Sequence, residues 1–572
     1  MTLSQRLGAW MAMGFRDVLG DDLVPEGAVQ VVPATQPEFG DYQCNASMAL
    51  AKKAQRAPRD VASDVVAHLG EDPLVESVNI AGPGFLNIRL QTSALAAAVE
   101  ALATDARLGV PQVGVGRRVI IDYSSPNVAK PMHIGHIRST IIGAAIDRLH
   151  RCLGYDVIAD NHVGDWGTQF GILIQGFRGL RPGTTIDSLT VEALERIYVE
   201  SYERSESDPE WKDACREALV KLQAGDADSR QLWQHFVDLS LKEFDRTYGR
   251  LGVAFDLVRG ESYYNDRLPG VLDLLKAKGL VERSEGADVV FLEDEGLAVC
   301  IVRKSDGGFN YASTDLATVG DRLREFAPEK IIYVTDERQR LHFQQIFSIC
   351  GKLGYDVQLV HVRFGLMRLP EGTFSTRQGN VIKLERMLDE AEERALAIVK
   401  ASSPEMAPDV QRDVARAVGI GAVKYADLSQ NPETNITFTW DKALSLEGNS
   451  GPYLQYAHAR IASVRDKYSV QCPGKNPDAF PLCLETPVER SLALQLVGFP
   501  DVITRAAQSY KPSMLAEALY TLTQTYSSFY QNVPFLKAPE GIRESRVKLC
   551  GVIARVLCCG LELLGIEAPD RI

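Results

Sequence analysis

The 572-residue chain contains no run of 18 apolar residues, so no membrane-spanning helix is expected. Its start, MTLSQRLGAWMAMGFRD, lacks a long apolar stretch and a small-residue cleavage site, so no secretory leader is expected. Ten cysteines include no CxxC pair, and only Cys558 and Cys559 adjoin. That argues against a zinc knuckle, a protein-bound structural metal or a disulfide framework. Reduced thiols in cores point to a cytoplasmic protein. Basic residues are outnumbered 62 to 75, and a net charge of −13 makes non-specific nucleic-acid binding a poor reading. There is no internal repeat and no low-complexity tract. What the chain does have is apolar material. Hydrophobic residues make up 45% and charged residues 24%, which suffices for roughly three or four globular domains.

Charge is uneven along the chain. Residues 451–572 carry 13 Lys and Arg against 11 Asp and Glu, a balance of +2. The remainder carries 49 against 64, or −15, so any RNA contact rests on local patches. Residues 1–113 read as a small α+β unit. Leu3, Leu7, Trp10, Met11 and Phe15 mark a helix, VQVVPA (29–34) a strand, and two helices follow near 44–54 and 59–69. SVNIAGPGFLNIRL (77–90) reads as two strands about a Gly-Pro-Gly turn. Next, RRVIIDY (117–123) is a β-branched strand. Ile134, Ile137, Ile141, Ala145, Ile146 and Leu149 trace a helix, and YDVIAD (155–160) is another strand. Strand, loop, helix, strand is the opening of a parallel α/β sheet. Residues 180–300 are charged and mainly helical, with no strand rhythm before 289–304, and read as an insertion. KIIYVTD (330–336) and VQLVHVRFG (357–365) restore the strands, and from about 384 the chain is helical apart from a loop near 471–486.

The loop before the first long helix carries the chemistry: Ser124-Ser125-Pro126-Asn127-Val128-Ala129-Lys130-Pro131-Met132-His133-Ile134-Gly135-His136. His133 and His136 are three apart and share a helix face. Gly135 permits close approach of a phosphate, the helix N-terminus adds N–H donors, and Lys130 adds a full charge. The same spacing also suits two surface histidines beside a cap.

The stretch resembles the HIGH signature of class I aminoacyl-tRNA synthetases, and the longer SSPNVAKPMHIGHIRST looks like the arginyl-tRNA synthetase form. GDWGTQFG (164–171), FSTRQGN (374–380), SGPYLQYAHARI (450–461) and AGPGFLNI (81–88) are similar to the same family, in family order over essentially the whole chain. The resemblance implies a two-step reaction. Arginine and ATP give arginyl-adenylate and pyrophosphate, and the arginyl group then passes to the terminal ribose of its tRNA. It implies ATP accompanied by Mg²⁺ held by the phosphates, and His133 and His136 as donors to the reacting phosphate, with Gly135 and Lys130 beside them. It assigns Tyr311, Asp315 and Gln339 to the substrate guanidinium, which wants carboxylate and planar acceptors. Without the resemblance, the last two read as a helix-capping Asp and a solvated Gln. Ser125, Asn127 and His136 fall at the amino-acid end of the substrate, with Asp122 as a partner for its ammonium.

One motif departs from the family pattern. Class I enzymes carry KMSKS, whose lysines meet the leaving pyrophosphate. Here the loop reads Thr373-Phe374-Ser375-Thr376-Arg377-Gln378-Gly379-Asn380, with threonine at both lysine positions. Ser375, Thr376 and Arg377 are expected at the ATP phosphates. Lys130 is the expected substitute cation, because its loop faces the phosphate site. In the C-terminal segment, Tyr453, Tyr456, Tyr520, Tyr526, Phe529 and Tyr530 recur at helical spacing. Most are expected in the core and a few on the surface, where they could stack unpaired bases.

The expected architecture is an α+β N-terminal add-on that binds tRNA (1–113), a Rossmann-like parallel-sheet catalytic domain (114–440) with an insertion at about 180–300, and an all-α anticodon-binding bundle (441–572). The expected partners are the tRNA for arginine, L-arginine and ATP, with no membrane, and the chain is expected to be a monomer. A small nucleotidyltransferase fails on size, and a cysteinyl enzyme lacks its Cys/His cluster. A non-catalytic tRNA-binding paralogue is the alternative, suggested by the missing lysines and opposed by His133, His136, Tyr311, Asp315 and Gln339.

Overall fold

The computed structural model describes residues 2–34, 36–180, 186, 189–370 and 383–572. The N-terminal unit runs α1 (Leu3–Leu19), β1 (Val31–Pro33), β2 (Tyr42–Cys44), α2 (Ala46–Lys53), α3 (Pro58–His68), β3 (Val75–Ala81), β4 (Phe85–Leu90) and α4 (Thr92–Thr104). Its four strands form an antiparallel sheet in the order β1-β2-β4-β3. Thr2 caps α1 by accepting from the Gln5 amide, with the Gln5 side chain returning to the Thr2 amide.

The middle of the chain builds β5 (Arg118–Asp122), α5 (Ile134–Cys152), β6 (Asp156–Asn161) and α6 (Thr168–Leu180). Three charged helices follow, α7 (Val191–Ser207), α8 (Pro209–Gln223) and α9 (Ala227–Arg250), and then β7 (Leu257–Val258) and α10 (Leu268–Ala277). Strands β8 (Glu282–Ser284), β9 (Ala287–Val290) and β10 (Cys300–Arg303) precede α11 (Tyr311–Phe326), β11 (Lys330–Asp336), α12 (Arg340–Leu353) and β12 (Gln358–Phe364). The central sheet is parallel, in the order β12-β11-β5-β6-β7. Val119, Ile120, Ile121, Ile331, Ile332 and Val334 are buried in it, as strands covered on both faces require.

Two features depart from the sequence reading. The 180–300 interval does not lie wholly outside the sheet, because β7 pairs with β6 at its edge. A two-residue strand has no alternation to display, which is why the pattern hid it. The strands at 287–303 do not return to the main sheet but form a separate antiparallel sheet, β10-β9-β8.

After β13 (Met367–Arg368) come α13 (Leu384–Ser402), α14 (Pro408–Leu428), β14 (Ile436–Thr437) and α15 (Trp440–Ala443). The C-terminal bundle is α16 (Gly451–Gln471), α17 (Pro487–Ser509), α18 (Pro512–Asn532) and α19 (Ile542–Leu563). Tyr526 and Phe529 are fully buried in it, whereas Tyr456 is exposed, with the Arg460 guanidinium over its ring and over that of Tyr530. The bundle also holds the N-terminal unit. Thr2 and Ser4 donate hydroxyl hydrogen bonds to Asp501, Arg490 pairs with Asp41 at 2.6 Å, and Lys548 pairs with Glu100 at 2.9 Å. Among the described residues no helix is long and apolar enough to cross a membrane.

Candidate active site

The site sits at the C-terminal rim of the parallel sheet, where such sheets bind ligands. The loop from β5 to α5 reaches it under strain. Ser124, Ser125 and Ala129 all have positive φ (72°, 47° and 65°), which only a network of contacts can hold. That network is present. The Ser124 amide donates to Ser139 Oγ (2.9 Å), and its hydroxyl lies 2.8 Å from both Thr140 Oγ1 and Tyr248 OH. The Ser125 amide donates to Asn161 Oδ1 (3.1 Å), and the Ala129 amide donates to Ser240 Oγ (2.9 Å). Asn127 lies so close to Gly164 that a Cβ there would stand 2.1 Å from its Oδ1. This explains the first glycine of GDWGTQFG.

The histidines make a reciprocal cap. The Gly135 amide donates to His133 Nδ1 (3.0 Å), and the His133 amide donates to His136 Nδ1 (3.1 Å). Each Nδ1 is therefore an acceptor, and the proton of each neutral ring sits on Nε2. Burial pushes His133 down to about 4, helped by the Lys130 and Arg338 charges, and His136 down to about 3, helped by His133. Both rings are uncharged near neutrality, with centroids 3.9 Å apart. This alters one expectation. The Gly135 amide and the His133 amide at the cap are taken up by the rings, and the imidazole Nε2–H groups are the side-chain donors the two histidines offer. Gly135 makes room for His133, whose Cε1 would stand 2.7 Å from a Cβ there.

Ser125, Asn127, His133, Gly135, His136 and Gln339 line one cavity of about 560 Å³, together with Arg138, Asp336 and Arg338. Gln339 follows β11 and caps α12. Tyr311 and Asp315 do not line this cavity. They converge on His342, which neither motif nor spacing announced. Its Nε2 is 2.5 Å from Asp315 Oδ2, and its ring meets Tyr311 edge-on at 4.9 Å. Glu261 was missed as well. Burial and the charges of Asp315 and Asp165 push it up to about 8. Its turn is held by Asp165 of GDWGTQFG, which accepts from the Ser262 amide (2.8 Å) and hydroxyl (2.6 Å).

Two expected residues are placed differently. Asp122 is buried, with one oxygen accepting from Ser125 Oγ (3.0 Å) and the other 2.6 Å from the buried Arg322, so it is no open partner for an ammonium. Lys130 does not line the cavity. Its ammonium lies 4.6 Å from the Tyr198 ring centroid on α7, within the field of Glu195. Lys383 is drawn to the same helix, 3.4 Å from Glu192 and 3.8 Å from Glu195. Thr373, Ser375, Thr376 and Arg377 lie outside the described residues.

Three family profiles match in chain order. They are the arginyl tRNA synthetase N-terminal domain over residues 15–90, the class I tRNA synthetase (R) catalytic domain over 98–440, and the DALR anticodon-binding domain over 454–572. The chain belongs to the arginyl-tRNA synthetase family. It is 44% identical over 559 residues to an arginine–tRNA ligase of Laribacter hongkongensis, covering 96% of each chain. It is 42% identical over 544 residues to one from Fusobacterium nucleatum, covering 95% of each. The arginyl-tRNA synthetase crystal structure from Plasmodium falciparum superposes over all of both chains, with a TM-score of 0.85 at 27% identity.

Proposed function

We propose that this chain is an arginine–tRNA ligase whose adenylation chemistry takes place in the cavity at the α5 N-terminus. The observation that carries this reading is a cavity lined by two neutral imidazole donors and by Gln339, with Asp315 held by His342 on the helix that Gln339 opens and the acid Glu261 within the field of Asp315. A carboxylate pair selects a guanidinium, and neutral N–H donors suit a phosphate whose charge grows during reaction.

In the first step an oxygen of the arginine carboxylate attacks the α-phosphorus of ATP. The α–β bridging P–O bond breaks, and pyrophosphate leaves with its electron pair. The Nε2–H groups of His133 and His136 meet the oxygens of the α-phosphoryl group. Ser125 and Asn127 orient the amino-acid end, while Asp315, Tyr311, Gln339 and Glu261 hold the side chain. This fixes the attacking oxygen in line, which is most of what such a transfer requires. Ser375, Thr376 and Arg377 are assigned to the ATP phosphates. Asp336 is the one carboxylate among the described lining residues. That suits a Mg²⁺ ion arriving on the triphosphate, where it would neutralise phosphate charge.

In the second step the terminal ribose hydroxyl of the tRNA attacks the adenylate carbonyl, and AMP leaves. Residues 1–113 and 441–572, which are packed on each other, bind the RNA, and the catalytic domain covers 114–440. Tyr456, Arg460 and Tyr530 supply an exposed stacking surface on the bundle. We place the protein in the cytoplasm as a monomer. The test is aminoacylation of purified tRNA with each of the twenty amino acids. Charging with arginine alone is expected. Charging with another amino acid would overturn the substrate, and tight tRNA binding with no charging would make the chain a non-catalytic tRNA-binding paralogue.

A further inference from the structure

Departing pyrophosphate gathers negative charge in the transition state, so a cation must meet it. The cations lining the cavity among the described residues are Arg138 and Arg338. Arg138 is committed elsewhere. It is buried, pairs with Asp427 at 3.0 Å, and donates to the carbonyls of Gly365 (2.6 Å), Thr434 (2.9 Å) and Pro432 (3.2 Å). Lys130 has its ammonium over Tyr198 and does not line the cavity, though its charge reaches His133 and His136. Arg338 differs from both. It sits on the turn between β11 and α12, beside Gln339, with its side chain 78% exposed. Asp336 grips one edge of its guanidinium, Oδ1 to Nε at 2.8 Å and Oδ2 to Nη2 at 2.9 Å, and accepts the Arg338 amide at 2.8 Å. A guanidinium has five N–H groups, so three remain beyond that grip.

We propose that Arg338 is a catalytic residue, the cavity cation that binds the β- and γ-phosphates of ATP and follows them as pyrophosphate leaves. The inference rests on the ligase reading above and adds a residue to it. The bond changes are those of the first step. Arg338 exchanges no proton and contributes charge and hydrogen bonds alone. Asp336 is its positioning residue. By holding one edge of the fork it fixes the outward edge without a search through rotamers, a pre-organisation that a lysine lacks.

The test uses the full-length protein with tRNA present and compares Arg338→Gln, Arg338→Lys and Lys130→Ala. Single-turnover adenylate formation should slow about 100- to 1,000-fold in Arg338→Gln, the effect of removing one preorganised donor. KM for ATP should rise and KM for arginine stay level. Arg338→Lys should recover part of the rate, and Lys130→Ala should be affected less than Arg338→Gln. Transfer from preformed adenylate to tRNA should be unchanged. Wild-type adenylation by Arg338→Gln would overturn the proposal. So would a defect confined to transfer, which would give Arg338 to the RNA. A second arm reads binding of inorganic pyrophosphate by calorimetry, which needs no turnover. Affinity should fall about tenfold in Arg338→Gln, equivalent to losing about 1.4 kcal/mol. If the wild type failed to charge arginine, the ligase reading would fall, while unchanged pyrophosphate affinity in this arm would separately overturn the role of Arg338.

Discussion

Two sets of carboxylates lie near the same sheet rim and are treated in opposite ways. Asp122 ends β5 and Asp160 lies one residue before the end of β6, and Arg322 of α11 enters between them at 2.6 and 2.8 Å, all three buried. Asp315 lies on the same helix as Arg322, about two turns earlier, yet the partner it meets is His342, and its neighbour Glu261 is another acid. The first set is neutralised from within and serves as scaffold. The second sets two acids against each other, a repulsion that either protonation of Glu261 or a cationic ligand relieves. One helix thus supplies both the bolt of the sheet and the selector of the substrate.

The sharpest way to break this contrast is to remove the bolt. Arg322→Met leaves Asp122 and Asp160 unpaired in the core, which should cost about 3–5 kcal/mol. Urea denaturation should show the catalytic domain unfolding earlier, with the arginine pocket itself unaltered. Asp315→Asn should do the reverse. Stability should hold, while kcat/KM for arginine falls by the equivalent of about 2–5 kcal/mol, roughly 30- to several-thousand-fold, and KM for ATP barely moves. Steady-state kinetics with each substrate varied would decide.

Glu261 sharpens the comparison through pH. Its folded-state pKa of about 8 lies above the unfolded carboxylate value, so the buried group is neutral below pH 8. Its contribution to stability is present at about pH 4 and lost as pH rises toward 8, because the unfolded chain ionises first. Glu261→Gln should therefore unfold at a higher temperature than wild type at pH 8, with the difference vanishing near pH 4. Arginine favours the ionised acid, so KM for arginine should fall as pH rises to about 8 in wild type and stay flat in the variant. The active-site histidines will not blur this profile, since both are already neutral well below that range. The smallest effect is expected for Lys130→Ala. With its ammonium held by Tyr198 and the field of Glu195, adenylate formation should slow by less than about tenfold, since one surface-type cation contact contributes about 0.5–1 kcal/mol.

The strand–loop–helix–strand unit and the closeness of His133 to His136 were legible because local sequence determines them, whereas their reciprocal cap was not. A β-branched run makes β5, a 3.6-residue period makes α5, and three-residue spacing puts His133 and His136 on one face. Glu261, His342 and Arg338 were not legible. Glu261 follows a strand of two residues inside a helical stretch, and only sheet order brings it beside Asp315. His342 lies in the first turn of an amphipathic helix, next to the buried Phe343, where a histidine has no signature of its own. Lys130 was misplaced for a different reason. The left-handed backbone at Ala129 turns the loop just before it, and no residue type in that loop announces the turn.

The grip of Asp501 on Thr2 and Ser4 joins residues almost 500 positions apart, and it acquires a meaning during synthesis. A ribosome adding about 5–20 residues per second needs about 25–100 s to make Asp501 after Thr2 has emerged. For that interval the N-terminal unit has its own sheet and helices but lacks Arg490, Asp501 and Lys548, the residues that hold it. The chain closes head to tail only once its last fifth exists, so truncated products should leave the first fifth unclasped and visible to proteolysis.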